Sequence, residues 1–152
     1  MTIPNTTQRI TDNTNPDVNM RIFEETKARV AEIGDDPVRI DERLKELDQE
    51  WDIERTLMAN ASTLALAGTL LGATVNKKFL WIPGAVTAFL LQHALHGWCP
   101  PMPLLRRAGV RTAHEIESER TALKALRGDF DGGATDTLTP AHALETASSL
   151  GS

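Results

Sequence analysis

The sequence predicts an all-α protein: a transmembrane helical hairpin with amphipathic cytoplasmic helices on both sides. Three observations lead there. Thr56 to Leu105 contains no Asp, Glu, Lys or Arg except the pair Lys77-Lys78 near its middle. Each half of that stretch has at least the roughly 20 residues a helix needs to cross a bilayer. Both flanks carry apolar residues at helical spacing, punctuated by helix caps, prolines and glycines.

Composition narrows the function classes. A chain of 152 residues with net charge −5 has no basic, aromatic-interleaved patch, so nucleic acid is not an expected partner. Five percent aromatics and no Tyr argue against a large soluble β fold. The single cysteine, Cys99, forbids an intramolecular disulfide. The start of the sequence has no cationic segment leading into an apolar run, so no cleavable signal peptide is expected. No period of 20 to 50 residues recurs.

Residues 1–15 are rich in Thr, Asn and Pro and read as disordered. The region 16–55 reads as cytoplasmic and juxtamembrane helices. Asn15-Pro16 starts the first, with Pro at the position that lacks a helical N–H partner in any case. Gly34 stops it, and its sparse apolar positions (Val18, Ile22, Val30, Ile33) predict a surface helix of modest stability. Asp36-Pro37 starts the next. Ile40, Leu44, Leu47, Trp51 and Met58 form one stripe, with no Gly or Pro between Pro37 and Gly68. The simplest expectation is one helix from Pro37 to Val75, roughly 58 Å long at about 1.5 Å per residue. The alternative is a break near Trp51, with the first part lying in the membrane interface.

The hairpin occupies 56–105, with spans at about 56–75 and 79–98. In the first span Leu57, Leu64, Leu66, Leu70, Leu71 and Val75 each favour insertion by about 0.3 to 0.6 kcal/mol. Asn60, the threonines and two glycines oppose it. The second span is richer in large apolar residues, and paired insertion satisfies the polar groups of both. Small residues line the first span at Ala61, Ala65, Gly68 and Gly72, with Gly68 to Gly72 a GxxxG that admits a close helix. That helix is either the second span or the same face of a second copy. Asn76-Lys77-Lys78 is the turn. Trp81 and Trp98 mark the ends of the second span, where indoles prefer headgroup level. Arginines and lysines at the outer ends outnumber the two turn lysines, so both termini are expected in the cytoplasm.

Cys99-Pro100-Pro101-Met102-Pro103 ends the second helix. Residues 106–130 read as a basic membrane-proximal segment followed by a helix. Thr112 and Glu115 form a capping box, and Gly128 ends the helix. Residues 131–152 read as a disordered tail.

The candidate chemistry is narrow. His93, His96 and Cys99 stand at i, i+3 and i+6, and nitrogen and sulfur ligands of this kind suit zinc, copper or haem iron. The bland alternative is a wet membrane edge, since no second ligand set exists. No cofactor is expected, with a metal or haem as the alternative. Cys99 is also a candidate reactive thiol, which needs a lowered pKa and exposure. No nucleophile–base pair, phosphate loop or paired-carboxylate site is visible. His114 and His142 read as solvated.

The order Asp52, Glu54, Arg55, then Gly97-Trp98-Cys99-Pro100, then Gly109-Val110-Arg111-Thr112 resembles the inner membrane protein YgaP-like transmembrane domain family. The resemblance runs from about Trp51 to Thr112. It implies a two-helix hairpin in a bacterial inner membrane, with Arg55, Gly97, Cys99, Pro100, Gly109 and Thr112 at the family motif. Some members are fused to a rhodanese sulfurtransferase domain, which implies a dimerising anchor and a link to sulfur handling. No rhodanese active-site loop is visible here, so no such activity carries over. The long N-terminal helices, Pro101 and the His93/His96 pair depart from the shorter members.

The expected function is a non-catalytic membrane anchor or assembly module that forms a homodimer, with the lipid bilayer and a cytoplasmic protein as partners. The alternative is an accessory sulfur- or redox-handling membrane protein using Cys99, with a metal or haem at His93/His96. A soluble helical bundle is the third reading, disfavoured by the lysine turn and the interfacial tryptophans.

Overall fold

A computed structural model describes residues 8–130 and 140–149. Its elements are α1 (Arg9–Asp12), α2 (Pro16–Ile33), α3 (Pro37–Gln49), α4 (Ile53–Thr74), a 3-10 turn (Lys77–Leu80), α5 (Trp81–His96), α6 (Met102–Arg107), α7 (Ala113–Arg127) and α8 (Pro140–Ser149). The described residues are all helix and connection, with no strand. They divide into two compact units: Met1–Asn15 with Ile53–Val110, and Pro16–Asp52 with Arg111–Ser152.

The second of these units is an ordinary helical assembly built on α7, which packs against α2, α3 and α8. Helix α2 opens on Pro16 and ends at Gly34, whose φ of 65° only glycine adopts cheaply. Helix α3 opens on Asp36, whose carboxylate accepts from the Val38 amide at 2.9 Å. Ile40, Leu44 and Leu47 bury against Val30, Ile33, Ile116 and Leu123. The predicted capping box starts α7. The Thr112 hydroxyl accepts from the Glu115 amide at 3.2 Å, and the Glu115 carboxylate accepts from the Thr112 amide at 2.7 Å.

Three expectations change. The 37–75 helix is broken: α3 stops at Gln49, Glu50 is extended (φ −67°, ψ 131°), and α4 starts at Ile53. The predicted stripe continued through Trp51 and Met58, yet both are exposed while Ile53 and Leu57 are buried. The apolar face therefore changes phase at the break. Ile40, Leu44 and Leu47 serve one core, and Ile53 and Leu57 serve another. The tail expected over 131–152 contains α8, whose Leu144 and Ala147 bury against Ala122, with Phe23 and Leu126 packed alongside. Residues 131–139 and 150–152 lie outside the described set. Residues 8–15, expected to be disordered, include α1, and Ile10 is buried with Ile53, Leu57, Cys99 and Met102. Residues 1–7 lie outside the described set.

In the other unit α4 and α5 pack on each other through the 3-10 turn. The Asn76 side chain accepts from the Lys78 amide at 2.9 Å and sets the turn. Gly68 and Gly72 are buried against this chain's own residues. A Cβ on Gly68 would lie 2.8 Å from Pro83 Cδ and 2.9 Å from Ile82 Cβ; one on Gly72 would lie 2.5 Å from Leu80 Cδ2. The two sites differ in what can yield. Leu80 presents a rotatable tip, whereas Pro83 and Ile82 present a ring and a branched β-carbon. Gly68→Ala is therefore expected to weaken α4–α5 packing by about 1–3 kcal/mol, and Gly72→Ala by less. Thermal unfolding of both variants in one detergent checks the order.

The outer faces of these two helices are apolar and uncovered: Leu64, Leu66, Leu70, Val75, Trp81 and Leu91 are all exposed. Taken across its bend, the helical run Pro37–Thr74 contains a window long and apolar enough to cross a membrane, and only 17% of that window is buried. Such a run in a soluble core would be mostly buried.

Candidate functional site

The candidate chemistry converges on the base of the hairpin, where α5 ends, α6 begins and α1 docks. Helix α5 ends at Gly97 in the left-handed conformation (φ 72°), with the Gly97 amide donating to the His93 carbonyl at 2.8 Å. The chain then turns through Cys99-Pro100-Pro101 into α6.

Cys99 is 4% exposed and sits in the cluster of Ile10, Ile53, Leu57 and Met102. Burial pushes its thiol up, with partial relief from the Met102 amide. A reactive thiol needs the opposite, a lowered pKa and access. Cys99 is packed among apolar side chains at the turn that leads into α6.

His93 is 7% exposed and neither ring nitrogen has a hydrogen-bond partner among the described residues. His96 is exposed, and its carbonyl accepts from Asn13 Nδ2 at 3.0 Å. Among the described residues no three His, Cys, Asp or Glu side chains are grouped as for a metal. His93, His96 and Cys99 are thus adjacent in sequence without forming a ligand set.

Sequence reasoning missed what does organise this base. Arg9 of α1 donates through Nη2 to Glu54 at 2.6 Å and through Nη1 to the Ala94 carbonyl at 3.1 Å. Asn13 donates to the carbonyls of Arg9 (2.7 Å) and His96 (3.0 Å). Carbonyls in the last turn of a helix have no partner within it. The α1 segment supplies partners to two of them on α5. The only signals in sequence were Arg9 and Ile10 in an otherwise polar stretch.

The positions named by the family motif are mainly geometric. Gly97 and Gly109 both have positive φ (72° and 88°). Thr112 caps α7, Cys99 is buried, and Pro100 and Arg55 are exposed. Ala61 and Ala65 are half-buried on α4. On the face that carries Ala61, an open apolar groove of about 720 Å³ runs between α4, α5 and α6.

A second feature, in the other unit, was also missed: a buried ion-pair hub. Glu119 of α7 is fully buried. It accepts from Arg43 Nε at 2.8 Å, from Arg29 Nη1 at 3.3 Å and, at close range, from Arg111. Arg111, 5% exposed, also grips both oxygens of Glu50, at 2.7 and 2.6 Å. Burial alone would raise the Glu119 pKa. The hydrogen bonds and charges of Arg43 and Arg111 outweigh it and hold the carboxyl below its usual range. The sequence reading placed Arg106 and Arg111 with Arg107 at the membrane surface. Arg106 and Arg111 are buried, and only Arg107 is exposed. The available signal was periodic: Glu119 falls on the stripe Ile116, Glu119, Leu123, where a charge demands partners.

Two packed apolar helices with uncovered outer faces, a short polar turn and an indole near each end of the second helix define a small integral membrane domain. Residues 52–115 match the family model described as inner membrane protein YgaP-like, transmembrane domain. No curated protein and no solved structure matches the chain.

Proposed function

We propose that the protein is a two-span inner-membrane anchor or assembly module with both termini in the cytoplasm and no catalysis of its own. One observation carries this reading. The large apolar side chains of α4 and α5 point outward, whereas those of α2, α3 and α7 point into a core. An exposed apolar surface of this extent is tolerated where lipid, not water, covers it. The burial of Cys99 favours this reading over the sulfur or redox alternative. A homodimer belongs to the same reading, with its interface away from Gly68 and Gly72, which the chain's own hairpin fills. A cytoplasmic protein partner is the natural client of such an anchor, docking on the α2–α3–α7–α8 unit.

The test is membrane fractionation followed by topology mapping. The protein is expected to stay with membranes in alkaline carbonate and to require detergent for release. Reporter fusions at both termini should report cytoplasm, and one inserted between Lys77 and Lys78 should report the opposite side. Release by carbonate alone would falsify the anchor.

A further inference from the structure

The base of the hairpin is closed by a segment from outside it. Ile10 of α1 is 4% exposed and packs in the same buried cluster as Cys99. Arg9 holds Glu54 of α4 and the Ala94 carbonyl of α5, and Asn13 holds the His96 carbonyl. One group at this junction is left over. The His93 ring is buried, and neither of its nitrogens, nor Nε of Arg9, has a hydrogen-bond partner among the described residues. The charged groups that act on the ring are Arg9 from α1 and Glu54 from α4, the two members of one ion pair. On its own helix, His96 is exposed. His93 belongs to no metal-ligand group among the described residues, so a proton is the species its ring nitrogens are left to take.

We propose that α1 is a proton-operated strap: at neutral pH it seals the base of the hairpin, and protonation of His93 releases it. A proton from solvent turns the neutral ring into a cation that donates from both nitrogens. A buried charge needs a partner. The carboxylate that acts on it, Glu54, is already held by Arg9 at 2.6 Å, so two cations compete for one anion. His93 is fixed in α5, which packs along α4, whereas Arg9 rides on a helix of four residues. The shorter element yields: Arg9 lets go of Glu54, and Ile10 and Asn13 leave with it. The inference goes beyond the anchor reading and adds a regulation to it. It holds wherever the hairpin sits.

The single cysteine supplies the readout. Cys99 is labelled with dithiodipyridine, which reacts at acid pH, in the full chain in mild detergent and in a chain lacking residues 1–14. The ratio of the two rates at each pH is the protection that α1 gives, free of the thiol's own pH dependence. Circular dichroism checks that both chains keep their helix content. Protection is expected at pH 7.5 and should fall roughly tenfold by pH 5.5, since one proton changes such an equilibrium by at most about tenfold per pH unit and histidine titrates near 6.5. His93→Gln, which takes no proton in this range, should keep α1 closed at both pH values, and His96→Gln should respond like the unaltered chain. Equal labelling with and without residues 1–14 at pH 7.5 overturns the strap. Protection that does not change with pH, or a pH response that survives in His93→Gln, overturns the role of His93. Because the wild-type profile and the truncation stand without any histidine variant, a poorly folded His93→Gln leaves the test intact. Carbonate extraction reads the anchor separately, and neither result decides the other.

Discussion

Glu119→Gln is expected to loosen α7 more than any other single exchange in its unit. The substitution keeps the size of the side chain and removes the negative charge that Arg111, Arg43 and Arg29 share. Breaking a buried pair by removing one partner typically costs about 3–5 kcal/mol, because the remaining charge stays buried. Arg111 keeps Glu50, and Arg29 and Arg43 are only partly buried, so the effect belongs at the lower end of that range. Hydrogen exchange along α7, measured on the full chain in detergent, should accelerate by about a hundredfold or more. The double variant Glu119→Leu with Arg111→Met tests the cause. An apolar replacement of both buried partners is often close to neutral. It should recover much of the protection that Glu119→Gln loses. If the double variant is worse than the single, the hub is a source of net stability in its own right.

The same carboxyl gives the pH dependence its sign. The folded pKa of Glu119 lies below the ordinary value, so the unfolded chain binds the proton more readily. Stability from this group is fully present above the unfolded value of about 4.3 and is lost as pH falls through the folded value. Protection of α7 should therefore be flat from pH 7 to pH 5 and fall steadily below that. In Glu119→Gln this acid-dependent component should shrink, since the titrating group is gone.

The parts of the fold that were legible in the sequence are those whose cause is local. Pro16 and Gly34, Asp36-Pro37, and Thr112 with Glu115 and Gly128 each fix a helix end by their own backbone chemistry, and the structure places those ends there. The two apolar helices α4 and α5 were legible because each half of the run, on either side of Lys77-Lys78, is uncharged and long enough to form one. The break at residues 50–52 was legible only as an alternative near Trp51, because neither Gly nor Pro makes it. It lies where the buried stripe passes from one core to another, and only the tertiary partners of Leu47 and Ile53 reveal that. Helix α8 was hidden for the same reason: its weak pattern gains order from Ala122 and Leu126 of α7, some 20 residues earlier in the sequence. The base of the hairpin was half legible. Gly97 and Cys99 stood out as a motif, but the motif suggested chemistry, and its residues serve a tight turn. Arg9 and Asn13, which complete that turn, act across more than 80 residues of sequence.

Gly97→Ala should be the most damaging small substitution in the hairpin, because two independent costs meet there. The residue sits at φ 72°, a conformation that costs a residue with a side chain roughly 1–2 kcal/mol. A Cβ there would also lie 2.8 Å from both Cβ and Cγ of Arg9 and 2.9 Å from its carbonyl oxygen. Overpacking of that kind typically adds about 1–3 kcal/mol. The second cost falls on α1, which either shifts or leaves α5, so faster hydrogen exchange over residues 9–14 is the direct readout. Gly97→Asn separates the terms, since Asn tolerates the left-handed conformation but carries the same Cβ. If Asn is as disruptive as Ala, contact with Arg9 dominates; if Asn is tolerated, the backbone term does. Removing residues 1–14 closes the cycle. In that background the contact cost vanishes and Gly97→Ala should retain only its backbone component. A cost that stays undiminished after the truncation would mean that α1 does not rest on Gly97 in the membrane. The two capped carbonyls of α5 would then need a different partner there.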